Sequence, residues 1–157
     1  MVDGSTAEFL RVFQSIVDEL RTATRSDRVT FRLENAALGL KLERVAVESL
    51  ADGVNSIMTL TTADIRNGSA PRWLIANRRT FVMDDCLRPS DPALAPEDYV
   101  IETYRVRSEM VSPVFADQEL VGIISVHYTQ GPRHWTTAEL ELIEDACEEV
   151  KTVRGRC

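Results

Sequence analysis

Side chains able to do chemistry gather at three places in the sequence. The first is the stretch from Arg105 to Tyr128, where Ser108, Ser125 and His127 stand among apolar residues. A histidine titrates near neutral pH, so His127 is suited to hold a proton, contact a ligand, or ligate haem or a metal. A histidine hydrogen-bonded inside a sheet leaves the same trace. The second group is Arg79, Arg105 and Arg107. Residues two apart share a face of a strand, and a guanidinium at a pocket mouth clamps a carboxylate or other oxyanion with parallel hydrogen bonds; solvated or salt-bridged surface arginines are the alternative reading. The third is Asp84-Asp85-Cys86. Adjacent side chains at a strand end diverge, so Asp84 reads as a turn residue or as a contact to ligand or cation, and Cys86 as a small, partly buried thiol. Trp73, Tyr99 and Tyr104 supply aromatic surface for the wall of a pocket.

Several function classes drop out on composition. The 157 residues carry a net charge of −7, with a pI near 4.9, against the concentrated positive field that nucleic acid or an anionic membrane requires. No apolar run approaches the roughly 18 to 20 residues that cross a bilayer. Asp3 and Glu8 place acid where a secretory leader needs base. Cys86, Cys147 and Cys157 are odd in number and widely spaced, which fits reduced thiols and predicts a cytoplasmic protein. Two histidines without HExxH or CxxC spacing give no basis for a zinc site.

The elements that must position these groups follow from periodicity. Ser5 and Glu8 have capping-box spacing, and Phe9, Val12, Phe13, Ile16, Val17 and Leu20 mark one helical face. Val29, Phe31 and Leu33 alternate with Arg28, Thr30 and Arg32, the pattern of a half-buried strand; a second strand surrounds Val45 and Val47, and a short third is expected over Ser56 to Thr61. Ser69 is positioned to cap a helix carrying Trp73, and Thr80 to Met83 reads as a strand. A proline- and aspartate-rich loop over 87–96 precedes a short helix reaching about Tyr104. Arg105 to Tyr128 then forms a hairpin, and a second capping box, Thr136 with Glu139, opens a closing helix buried through Leu140, Ile143, Cys147 and Val150. The prediction is one α+β domain over residues 1–157, with an antiparallel sheet, the terminal helices on one face, and short helices and loops over a pocket on the other.

Pro113, Gly122-Ile123-Ile124-Ser125-Val126, Arg133 with Trp135-Thr136, and Glu139-Leu140 together resemble the C-terminal half of GAF domains. Asp27-Arg28-Val29-Thr30 and Arg79-Thr80-Phe81-Val82-Met83-Asp84 resemble two upstream segments of that family. The resemblance implies a central sheet of five or six strands, a small-molecule pocket on one face, and terminal helices on the other that often form a dimer interface. The turn departs from the family pattern, with Gln118 where glycine is common.

Ser108-Glu109-Met110-Val111 before Pro113 resembles the free methionine-(R)-sulfoxide reductases, but the segment from Val100 to Arg107 lacks the cysteine their chemistry needs. The NKFDE-type signature of cyclic-nucleotide-binding members is not apparent, and a phytochrome-like bilin attachment is expected to need an appropriately placed cysteine and a longer chain. The leading expectation is a domain that binds a small metabolite, with anions among the candidates, and reports it through its terminal helices as a homodimer, with no cofactor specified by the sequence. Two alternatives stand beside it. One is a small enzyme with His127, Cys86 or Asp84 as reactive groups; the other is an interaction module with a vestigial pocket.

Overall fold

The computed structural model describes residues 4–155, so Asp3 and Cys157 lie outside the described residues. Helix α1, Gly4–Thr24, begins before Ser5, which places the expected Ser5–Glu8 box inside the helix rather than at its start. Strands β1 (Arg28–Leu33) and β2 (Val47–Leu50) follow, then helix α2 (Ser69–Asn77) and strand β3 (Phe81–Met83). The expected loop over 87–96 contains one 3-10 turn, Pro92–Leu94, and leads into helix α3 (Asp98–Glu102). The hairpin is β4 (Ser108–Ala116) and β5 (Glu119–Tyr128), and helix α4 spans Thr137–Arg154.

The sheet has five antiparallel strands in the order β2-β1-β5-β4-β3. The sixth strand expected over Ser56 to Thr61 does not form. Its backbone and side chains are engaged elsewhere: Glu48 accepts from Ser56 Oγ (2.6 Å) and from the Ile57 amide (2.8 Å), which curls the segment over the sheet, and only an isolated bridge from Arg44 to Thr61 remains. In the β4–β5 turn the left-handed backbone falls on Asp117 (φ 54°), a residue type that tolerates it, so Gln118 needs no glycine-like conformation.

Period-2 alternation divides the sheet into two apolar layers. Val29, Phe31 and Leu33 of β1 and Ile124 and Val126 of β5 pack against α1 and α4. Val111 of β4 and Ile123 of β5 face the other way, toward Ile57, Ile65, Leu74 and Phe81. At the start of α4 both halves of the capping box are present: the Thr136 hydroxyl accepts from the Glu139 amide (3.2 Å) and Glu139 accepts from the Thr136 amide (2.9 Å). Thr136→Ala is expected to cost about 1 kcal/mol, lowering the melting temperature by about 3 °C in calorimetry.

The strand expected to be half-buried is buried on both faces. Arg28, Thr30 and Arg32 are 0%, 1% and 5% exposed, because the 55–62 segment and the chain around Tyr104 cover the second face. That cover creates the enclosed space described next.

Candidate functional site

A cavity of about 70 Å³ lies between the pocket face of the sheet and a roof made by α2, the Pro92–Leu94 turn and α3. Its floor alternates out of the strands: Thr30 and Arg32 from β1, Ser125 and His127 from β5, Glu109 and Val111 from β4. Apolar side chains close the rest, among them Ile57, Ile65, Phe81, Leu94 and Val100. A larger, more open hollow of about 320 Å³ adjoins it and shares Thr62, Tyr99 and Tyr104 with it. These three side chains form the partition, with Thr62 Oγ1 and Tyr104 Oη 2.5 Å apart and the tyrosine rings edge-to-face at 5.2 Å.

Two buried guanidiniums dominate the electrostatics. Arg32 lines the cavity and donates to Leu42 O (3.2 Å), Tyr104 Oη (3.3 Å) and Thr62 Oγ1 (3.4 Å). Arg28 stands one layer behind and donates to Asn55 O (2.8 Å), Asn55 Oδ1 (3.0 Å), Tyr104 O (2.9 Å) and His127 Nδ1 (3.0 Å). Among the described residues neither has a carboxylate within 4.0 Å. Their contacts are dipoles rather than acids: Glu48 and Asp27 act on Arg28 from beyond contact distance, and Arg32 shares the cavity wall with the Glu97 and Glu109 carboxyls.

That pairing fixes the histidine. A guanidinium only donates, so His127 Nδ1 accepts and the ring proton resides on Nε2. Burial, followed by the nearby Arg28 and Arg32, holds the His127 pKa well below its usual value, and the ring is neutral. Its Nε2 faces Glu109 Oε2 at 3.7 Å, beyond hydrogen-bond reach. Glu109 is 6% exposed; burial, with a contribution from the Glu97 carboxylate, pushes its pKa up to about 7. Burial and Glu97 likewise raise the Tyr99 phenol to about 12, so it stays a donor.

Glu97 also replaces an expected cap. The residue before α2 is Gly68, not Ser69, and Glu97 Oε1 accepts from the Ser69 amide. The Ser69 hydroxyl is left lining the cavity, buried and without a hydrogen-bond partner.

The raised pKa of Glu109 has a consequence for stability. Its folded value lies above the ordinary 4.5, so the folded state retains a proton that the unfolded chain releases. Stability is therefore expected to fall as pH rises from about 4.5 to 7 and to be flat in this respect above 7, by at most about 3 kcal/mol. Thermal denaturation of wild type and Glu109→Gln across pH 4.5 to 8 reads this directly: the variant should lack the decline.

Of the ten residues selected from the sequence, the structure brings Tyr99, Tyr104, Ser125 and His127 to the cavity. The other six lie away from it. Ser108 points to the helix side, where its hydroxyl accepts from Trp135 Nε1 (2.9 Å). Asp84 is exposed and pairs with His134 (3.0 Å), bracing the loop before α4. Trp73 packs edge-on against Phe81 (5.4 Å), with exposed Arg79 above its outer ring (5.5 Å). Arg105 occupies an exposed left-handed position (φ 61°), and Arg107 is half-buried with its Nε unpartnered. Cys86 is buried but does not line the cavity, and burial, then Glu109, raises its pKa, so it is a thiol. Cys86, Asp84 and His127 are thus not assembled into one reactive centre.

Sequence reading missed Arg28, Thr30, Arg32, Glu97 and Glu109. The usable signal was the cationic alternate positions of β1, two arginines four apart on one face of a strand.

A family model for the GAF domain matches residues 8–152. The chain belongs to the GAF domain family. Solved GAF domains share its fold. The cyanobacteriochrome receptor PixJ is 20% identical with a TM-score of 0.74, covering 94% of this chain and 95% of that one. The blue-light-absorbing form of the Thermosynechococcus elongatus PixJ GAF domain is 20% identical, with a TM-score of 0.72 and coverage of 98% and 92%. A phycocyanobilin-bound GAF domain from a cyanobacterial phytochrome is 18% identical, with a TM-score of 0.73 and coverage of 94% and 85%. An uncharacterized protein of Picosynechococcus sp. is 28% identical over 113 residues, spanning 71% of this chain and 65% of that relative's length. No helix among the described residues is long and apolar enough to cross a membrane, and no cluster of three or more His, Cys, Asp or Glu is placed to hold a metal.

Proposed function

We propose that this GAF domain is a sensory module whose ligand is a small anion held between the sheet and the α2–α3 roof. The observation that carries the reading is the pair of buried guanidiniums, Arg28 and Arg32, facing or backing the cavity without a carboxylate partner. A buried cation without a counter-ion is costly, and an anionic ligand offsets that cost. Ser69, Ser125 and Thr30 hydroxyls add donors around it.

Solved neighbours include a GAF domain described as phycocyanobilin-bound and another with bound biliverdin IXα. A bilin does not fit the residues here. The cavity of about 70 Å³ is far below the roughly 300 Å³ or more of sites for drug-sized ligands, the Thr62–Tyr99–Tyr104 partition separates it from the hollow of about 320 Å³ beside it, and neither is lined by a cysteine.

Output runs through the sheet. Ser125 and His127 of β5 face the cavity, while Ile124 and Val126, between and beside them, pack on α1 and α4. A ligand that favours one setting of β5 shifts the population of terminal-helix arrangements. Homodimerisation through the outer faces of α1 and α4 belongs to the same reading, and a strictly monomeric protein in light scattering at high concentration excludes it. A thermal-shift screen over metabolites, followed by calorimetry, tests the whole: anionic compounds should raise the melting temperature. A screen in which only neutral or cationic compounds bind contradicts it.

A further inference from the structure

The site's own size and proton inventory narrow the ligand further than its charge does. A cavity of about 70 Å³ is less than half the roughly 150 Å³ that admits benzene, which leaves room for roughly three or four non-hydrogen atoms. Its polar lining is rich in donors: the Arg32 guanidinium, the Nε2 proton of His127, and the Ser69, Ser125 and Thr30 hydroxyls. Ser69 is 8% exposed and its hydroxyl has no hydrogen-bond partner among the described residues, so a buried donor awaits an acceptor. A planar oxyanion, with several acceptor lone pairs and no apolar bulk, matches that inventory.

Two carboxyl groups oppose it, Glu97 in the roof, which accepts from the Ser69 amide, and Glu109 on the sheet. Glu109 is a buried carboxyl on the same wall, with its Oε2 3.7 Å from His127 Nε2. Other titratable or charged groups surround it from every packed element. His127 lies on β5, Arg32 and, behind it, Arg28 on β1, Arg107 just before β4, Glu97 and Tyr99 in the roof, and Asp85 and Cys86 after β3. The histidine is neutral, the Glu97 carboxylate repels, and no arginine among the described residues lies within 4.0 Å of the Glu109 carboxyl, although Arg32 shares the cavity with it. An anion entering the same small space as an ionised Glu109 meets a second unscreened negative charge.

We propose that the cavity takes a small planar oxyanion of the carboxylate or nitrate type together with one proton, carried by Glu109. This rests on the anionic-ligand reading above and adds the ligand's size class and its coupling to pH. The balance is simple: the ionised protein, the anion and one solvent proton give a complex in which Glu109 is a carboxylic acid. No covalent bond forms or breaks apart from the O–H bond on Glu109. Below the free-protein pKa of about 7 the proton is already in place and affinity is independent of pH; above it the proton must be recruited and affinity falls.

The test is calorimetric titration of the full chain with sodium nitrate, formate and acetate from pH 5.5 to 8.5, at ionic strength held with gluconate, an anion too large for the cavity. Repeating it in buffers of different ionisation enthalpy counts the protons taken up per anion. The proposal expects affinity flat below pH 7 and weaker by about tenfold per pH unit above it, with close to one proton taken up at pH 8 and none at pH 6. In Glu109→Gln the slope and the proton uptake should vanish, whatever the absolute affinity. Glu141→Gln, an exposed acid on α4, should retain both. Binding without slope or proton uptake in wild type overturns the coupling and leaves the anionic-ligand reading intact. No binding of any of the three anions to folded wild type at any pH overturns the size class. The anionic reading itself falls only if the metabolite screen also returns no anion.

Discussion

Arg28→Met should destabilise the domain by about 4 kcal/mol and lower its melting temperature by about 10 °C. The guanidinium is fully buried and donates to Asn55 O, Asn55 Oδ1, Tyr104 O and His127 Nδ1. Methionine fills much of the volume and removes the desolvated charge, which is a gain. It also strands four acceptors on three separate segments, of which Tyr104 O and His127 Nδ1 are buried, and each buried unsatisfied acceptor costs about 1–3 kcal/mol. The loss should extend beyond a single contact, because Asn55 in turn donates to Thr103 O (3.0 Å), so Arg28 ties the 55–62 segment and the α3 exit to β1. Arg28→Lys should not restore stability, since an ammonium is a point charge that cannot span this fork of acceptors. Thermal unfolding of both variants measures the effect. A methionine variant as stable as wild type would mean that the hub is dispensable and that the second face of β1 is covered for other reasons.

Arg32→Gln should act on binding instead. Arg32 makes fewer and longer bonds than Arg28, to Leu42 O, Thr62 and Tyr104, and a glutamine amide can keep a donor toward the same hydroxyls. The expected loss of fold stability is therefore small, about 1 kcal/mol. The anion loses its one directly lining cation, and charge-assisted hydrogen bonds are among the strongest in proteins. Affinity for nitrate or formate should fall about a hundredfold, equivalent to about 2.7 kcal/mol. A variant that folds like wild type and binds as tightly would place the anion elsewhere.

How much of this was legible in the sequence depends on the range over which the cause acts. The hairpin, the Thr136–Glu139 capping box and the buried stripe of α4 are set by residues within a few positions of one another, and each formed where local chemistry placed it. The failures share a different cause. Arg28, Thr30 and Arg32 look like the wet face of a half-buried strand, because period-2 alternation records polarity and not what will cover it. Their cover comes from Asn55, 27 residues away, and Tyr104, 72 to 76 residues away. The Ser56–Thr61 strand failed for the same reason, since a single carboxylate, Glu48, captured its hydroxyl and amide.

The candidate site was half-read by the same logic. Ser125 and His127 share one face of β5 and reach the cavity together, but Ser108 and its neighbour Glu109 point to opposite faces of β4, and Ser108, the one chosen from the sequence, faces the helices. Arg79 and Arg105 sit where strands begin or turns end, and such positions are open to solvent in this fold. The GAF resemblance supplied the layers and the presence of a pocket; it could not say which cations line it.

An anion on the Arg32 wall of the cavity should perturb the backbone amides that surround it. Amide chemical-shift mapping of ¹⁵N-labelled protein titrated with sodium formate at pH 6 tests it most directly. Saturable shifts should concentrate at Thr30, Arg32, Glu109, Ser125 and His127 and be absent in Arg32→Gln. Shifts confined to surface arginines such as Arg78, Arg79 and Arg105, or no saturable shift at all, would contradict it.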